Sequence, residues 1–122
     1  MKKSQTIKAL LIEPMQKPRV IEIEVSLESY QQQVGGLIEI LYLEDDAVLV
    51  VNEEGKLLGL APNRRFYDDI LVGNILILGI RGENLVGLSD ENIRKYTEQF
   101  AEPEEIDPDE VEMFIDAWFF GA

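Results

Sequence analysis

The chain is expected to fold as a single α+β domain, with a mixed or antiparallel sheet of about five or six strands and three helices. Three observations point there. Val20-Ile21-Glu22-Ile23-Glu24-Val25 alternates apolar and acidic residues at period two, as a strand with one wet face does. Several short apolar runs then follow one another with only polar turns between them, unlike the strand–helix alternation of a parallel sheet. Helix-start signals gather late, at Ser89 and at Asp107.

The elements follow in order. Lys8-Ala9-Leu10-Leu11-Ile12-Glu13 is a short apolar run ended by Pro14 and reads as a strand. Met15-Gln16-Lys17-Pro18 is the turn that lets it pair with Val20–Val25 as a hairpin. Ser26 caps a short helix whose Leu27, Tyr30 and Val34 share one face, and Gly35-Gly36 closes it. Strands are expected over Leu37–Leu43 and Ala47–Val51, joined by Glu44-Asp45-Asp46. Asn52-Glu53-Glu54-Gly55-Lys56 reads as a turn, and Leu57–Leu60 as a third short strand. The stretch from Ala61 to Asp69 has no clean period and reads as a loop, and Asn74–Ile80 reads as a buried strand.

Ser89 caps a helix begun by Asp90 and Glu91, with Ile93, Tyr96 and Phe100 on one face, and Pro103 ends it. Asp107-Pro108-Asp109-Glu110 is the strongest local signal, with a capping Asp, Pro at the first helical position and Glu three residues on. A last helix from Pro108 to about Phe120 carries Val111, Phe114, Ile115 and Trp118 as its apolar stripe. Residues 1–100 thus form the α+β core. Residues 101–122 form an acidic linker and an amphipathic helix packed on that core or on a second chain.

Composition excludes several functions. With 122 residues the chain is one domain and long enough to bury a core. It has no cysteine, hence no disulfide or thiolate chemistry, and no histidine, the commonest general base and metal ligand. The net charge is −13, which argues against nucleic-acid binding and against docking on anionic lipid. A soluble, cytoplasmic protein with no cofactor and no metal is the expectation, since no apolar run approaches the roughly 20 residues of a membrane span.

The charge is local. From Thr97 to the end there are nine acidic side chains and no basic one: Glu98, Glu102, Glu104, Glu105, Asp107, Asp109, Glu110, Glu112 and Asp116. The segment runs into Met113-Phe114-Ile115-Asp116-Ala117-Trp118-Phe119-Phe120. As one helix rising about 1.5 Å per residue, residues 98–116 would space their charges at about 3 Å, near the phosphate repeat of a single strand. Pro103 and Pro108 break that line. Glu104, Glu105, Asp109 and Glu112, with the anchors Phe114, Trp118 and Phe119, are the candidate contacts to a partner or a second copy. The plainer reading is a solvated linker followed by aromatics that cover the domain's own sheet.

Asn63-Arg64-Arg65 is the densest basic spot. It could grip a carboxylate or phosphate, or pair with Glu53, Glu54, Asp68 or Asp69. Asp45-Asp46 and Asp68-Asp69 lack the spacing of a calcium loop, and Gly79-Ile80-Arg81-Gly82 lacks the ending of a phosphate-binding loop.

Several segments carry a family likeness. They are Lys8-Ala9-Leu10-Leu11-Ile12-Glu13-Pro14, Gly35-Gly36-Leu37-Ile38-Glu39, Asn52-Glu53-Glu54-Gly55-Lys56-Leu57, Gly59-Leu60-Ala61-Pro62-Asn63-Arg64 and Leu88-Ser89-Asp90-Glu91. Over roughly residues 7–100 the chain resembles small uncharacterised proteins of Gram-positive bacteria, phages and conjugative elements that share a domain of unknown function. The resemblance implies a mobile-element setting and no catalytic residue. The function expected is non-enzymatic: an accessory protein of a mobile element or its host that binds a protein, or itself, through the acidic and aromatic C-terminal segment. The alternatives are an acidic DNA mimic that antagonises a restriction or nuclease system, and a small-ligand module or enzyme built on the Arg64 loop.

Overall fold

The polypeptide begins with two strands, β1 (Thr6–Ile12) and β2 (Arg19–Glu24), paired antiparallel with Leu10 opposite Val20. The structure is a computed structural model describing residues 5–111. Helix α1 (Leu27–Val34) follows, then β3 (Ile38–Tyr42) and β4 (Ala47–Asn52). A small hairpin of β5 (Pro62–Phe66) and β6 (Asp69–Val72) precedes β7 (Ile75–Arg81), β8 (Asn84–Val86) and α2 (Asp90–Gln99). The main sheet runs β2-β1-β7-β4-β3, with β8 paired to the second half of β7, and every pairing is antiparallel. The fold is α+β, as expected from the sequence, with residues 108–111 starting a third helix.

The central strands each carry an apolar run whose two faces are both covered. Leu10 and Ile12, Leu49 and Val51, and Ile75 and Ile77 point to one core, which holds Leu71, Leu88, Tyr96 and Phe100. Their neighbours Ala9 and Leu11, Val48 and Val50, and Leu76 and Leu78 point to the other, under Tyr30 and Val34 of α1. Successive side chains of a strand point to opposite faces, so an unbroken apolar run serves two layers at once. A Cβ on Gly79 would lie 2.6 Å from the Gly87 carbonyl oxygen, so β8 folds back on β7 only over a glycine.

Both N-caps form as the sequence suggests. Ser26 Oγ accepts from Ser29 N at 3.1 Å, and Ser89 Oγ accepts from Asn92 N at 3.1 Å. Gly35 closes α1 in the left-handed region at φ 82°. Leu27, expected on the buried face with Tyr30 and Val34, is 56% exposed, so only the latter two seat α1 on the sheet.

Tyr30 is buried among aliphatic side chains, and its hydroxyl has no hydrogen-bond partner among the described residues. Burial also pushes that phenol above its ordinary pKa. An unsatisfied buried hydroxyl costs about 1–3 kcal/mol. Tyr30→Phe is therefore expected to leave stability unchanged or raise it by about 1 kcal/mol in a urea titration.

Two expectations are overturned in the middle of the chain. Residues 53–59 form turns rather than a strand at Leu57–Leu60, and the supposed loop is the β5–β6 hairpin. The hairpin turns at Tyr67, at φ 55°. Strand β5 escapes a hydropathy reading because its inward residues, Asn63 and Arg64, are polar. A register shift between Pro62 and Arg64 allows two consecutive side chains to be buried together.

Candidate functional site

Asn63 and Arg64 are both fully buried, at 0% exposure. Asn63 Nδ2 donates to the Ile12 carbonyl at 2.9 Å and to the Gly73 carbonyl at 2.7 Å, joining the end of β1 to the turn before β7. Its Oδ1 accepts from Arg64 Nη1 at 2.8 Å. Arg64 Nε and Nη2 both donate to the Phe100 carbonyl, at 3.2 and 3.1 Å, and Nη2 also donates to the Gln16 carbonyl at 2.6 Å. Nη1 reaches the Asn63 carbonyl at 3.4 Å.

These contacts occupy all the N–H groups of the guanidinium. Among the described residues no carboxylate touches it; carbonyl dipoles from the β1–β2 turn, β5 and the end of α2 solvate it instead. Burial lowers the Arg64 pKa, and the charge of Glu104 partly opposes that. A guanidinium so engaged has no donor left for a ligand unless the hub opens. The surface ion pair with Glu53, Glu54, Asp68 or Asp69 that the sequence also allowed does not form.

Arg65, one residue on, points outward and holds the acidic segment. Its Nη1 and Nη2 meet Glu110 Oε2 and Oε1 at 2.8 and 3.0 Å, a bidentate pair. Its Nε lies 3.8 Å from Glu104 Oε1, and its backbone N donates to Glu104 Oε2 at 3.2 Å. Hydrogen bonding and charge from Arg65 hold the Glu110 carboxyl below its ordinary range and raise the guanidinium in turn. Glu110 therefore does not complete a capping box. Asp107 caps alone, its Oδ1 accepting from Asp109 N at 2.9 Å.

Beneath these polar contacts, Ile106 and Val111 are 7% exposed and pack with Ile70 and Val72 of β6, beside Leu60. The segment from Glu102 to Val111 is thus a strap laid across the small hairpin. Its apolar residues face inward and two of its acids are tied to Arg65. Glu102, Glu105, Asp107 and Asp109 remain exposed, with no ion pair among the described residues.

The sequence-derived candidates thus separate. Glu104 is anchored to Arg65, while Glu105 and Asp109 face solvent. Glu112, Phe114, Trp118 and Phe119 lie outside the described residues.

Asp45, weighed as a cation ligand, is taken by Lys95 at 2.6 Å, with Glu44 at 3.5 Å from the same ammonium; these contacts push Lys95 up to about 12. Asn92 Nδ2 and the Tyr96 hydroxyl bind the Asp45 and Glu44 carbonyls at 2.8 and 2.9 Å, so α2 grips the β3–β4 turn. No group of three or more carboxylates suited to a metal ion occurs among the described residues. A shallow groove of about 590 Å³ lies between the end of α1 and the 53–59 turn, lined by Gln32, Gly36, Leu37, Glu54 and Leu58 among others. None of Asn63, Arg64 and Arg65 lines it. Among the described residues no helix is long and apolar enough to cross a membrane.

Sequence reasoning singled out Arg64 and Arg65 but not their opposite roles. The signal available was the pairing of a two-arginine step with the only acid-rich segment. What hid the roles was the buried bulge, which no spacing rule reports.

Neither the curated proteins nor the solved structures compared with the chain contain a match. A family model, the domain of unknown function DUF3846, matches residues 7–101, nearly the whole six-stranded sheet with both helices and the buried hub. The match ends where the strap begins, and over that core the chain belongs to the DUF3846 family.

Proposed function

We propose that the protein is a non-enzymatic binding module, an accessory of a mobile element or its host, whose acidic strap contacts a basic surface on a partner protein. The observation that carries this reading is the state of the strap. Its exposed carboxylates, Glu102, Glu105, Asp107 and Asp109, sit on a segment pinned by Ile106, Val111 and the Arg65–Glu110 pair. A pinned set of exposed charges loses little conformational entropy on binding and steers a basic partner over distance. The occupied guanidinium of Arg64 weighs against the ligand-module alternative.

The test is charge reversal at Glu102, Glu105 and Asp109, each to Lys, leaving Glu104 and Glu110 on Arg65 and Asp107 as the helix cap. Proteins retained from a host lysate by the wild-type and reversed chains are compared by quantitative mass spectrometry. Partners with basic surfaces are expected to be lost on reversal and at high salt, with the melting temperature little changed. An unchanged set of partners would sink the reading. Competition by duplex DNA for a captured partner identifies the antagonist form of it, in which that basic surface ordinarily holds nucleic acid.

A further inference from the structure

We infer that β3 is a self-pairing edge, through which two copies of the chain join their sheets about a two-fold axis at Ile40. This surface is separate from the acidic strap and does not depend on it. β3 is the last strand of the sheet, paired only with β4 among the described residues. Leu43 N donates to the Ala47 carbonyl at 2.9 Å and Glu53 N donates to the Leu37 carbonyl at 2.8 Å. The odd-numbered residues therefore turn their backbone groups toward β4. In an antiparallel ladder the alternate residues, Ile38, Ile40 and Tyr42, then present N–H and C=O groups outward.

Natural edges are blunted by Lys, Pro, bulges or inward charges. The opposite edge, β2, follows Pro18 and carries Arg19, Glu22 and Glu24. β3 reads Ile-Glu-Ile-Leu-Tyr, pairs without a register shift, and ends on Tyr42, which is 75% exposed. Among the described residues its open side has no Lys, Pro or bulge, and its one charged residue, Glu39, turns its backbone groups toward β4.

The register that uses the outward groups is self-complementary. With Ile40 opposite Ile40 of the second copy, Ile38 faces Tyr42 and Tyr42 faces Ile38. Each such pair exchanges two hydrogen bonds, about six in all. The aromatic–β-branched cross-strand pairs fall on the face where Ile38 and Ile40 already pack beside α1. Leu37, 53% exposed, meets Leu43, and Glu39 meets Leu41, so no carboxylate faces its own copy. Sliding by one ladder step, Ile38 against Ile40, sets Glu39 against Glu39 and is disfavoured, because like charges directly opposite destabilise a pair.

The contact is small, and each copy carries a charge of −13, so the dimer is weak and opposed by long-range repulsion. Salt screens that repulsion over a Debye length of about 10 Å at 0.1 M. Association through β3 therefore strengthens with salt, opposite to a contact made by the acidic strap.

The experiment is sedimentation equilibrium of the full chain over a concentration series, at low and high salt. Mass is expected to rise from 13.9 kDa toward twice that value with concentration, and more steeply at high salt. Tyr42→Lys changes an exposed side chain, and Ile40→Pro removes an outward N–H at an edge position where Pro is tolerated. Both are expected to stay monomeric, with Tyr42→Lys keeping the wild-type circular dichroism and melting curve. The inference is overturned by a chain that stays at 13.9 kDa throughout. It is equally overturned by association that weakens with salt, or by a dimer that survives Tyr42→Lys and is lost instead in Trp118→Ala.

Discussion

Arg64→Met is expected to lower folding stability by about 2–5 kcal/mol, since two buried acceptors each lose a donor at about 1–3 kcal/mol apiece. Among the described residues the guanidinium is the sole side chain bridging the Gln16 carbonyl, the Phe100 carbonyl and Asn63 Oδ1. Methionine fills similar volume but leaves the buried Phe100 carbonyl and Asn63 Oδ1 without their donors. Arg64→Lys is expected to fall little short of the same loss, because three donors on a flexible stem do not reproduce a planar fork of five. Arg65→Met, one residue away, is expected to cost little, since its contacts are exposed and screened by solvent. Urea unfolding followed by Trp118 fluorescence and by circular dichroism measures all three. Equal, small effects at Arg64 and Arg65 would mean that the hub is not structural.

The second large effect is expected at Ile106. Replacing it with alanine removes most of a side chain packed on Ile70 and Val72, at a cost of about 2–4 kcal/mol. Glu105→Ala, at the neighbouring exposed position, is expected to be near neutral. If residues 102–111 were only a solvated linker, neither change would move the urea midpoint. The contrast between the two positions therefore separates a packed strap from a tether.

Much of the sheet was legible because its chemistry is monotonous. β1, β4 and β7 each carry a run of at least four aliphatic residues, β2 alternates, and Ser26, Gly35 and Ser89 mark helix ends through their own hydrogen bonds. Hydropathy failed where burial is polar. Asn63 and Arg64 occupy core positions satisfied by carbonyls from three distant segments, a long-range solution that local pattern cannot anticipate. It failed again at Leu57 and Leu58, which look like strand residues but stand 64% and 61% exposed on a turn. In the acidic segment, charge was legible and packing only in part: Val111 reads as the start of an apolar stripe, but Ile106, alone among acids and prolines, carries no period of its own.

The acidic segment is held on the domain by Ile106, Val111 and the Arg65–Glu110 pair, and its binding role requires that it stay fixed there. The most direct measurement is backbone ¹⁵N relaxation of the full chain across residues 102–111. Order parameters close to the value of about 0.85 found in rigid backbone are expected there, matching β6 beneath. Values below about 0.6 across the segment, with β6 still rigid, would contradict it. Glu102, Glu105, Asp107 and Asp109 would then be charges on a tether rather than a preformed binding surface.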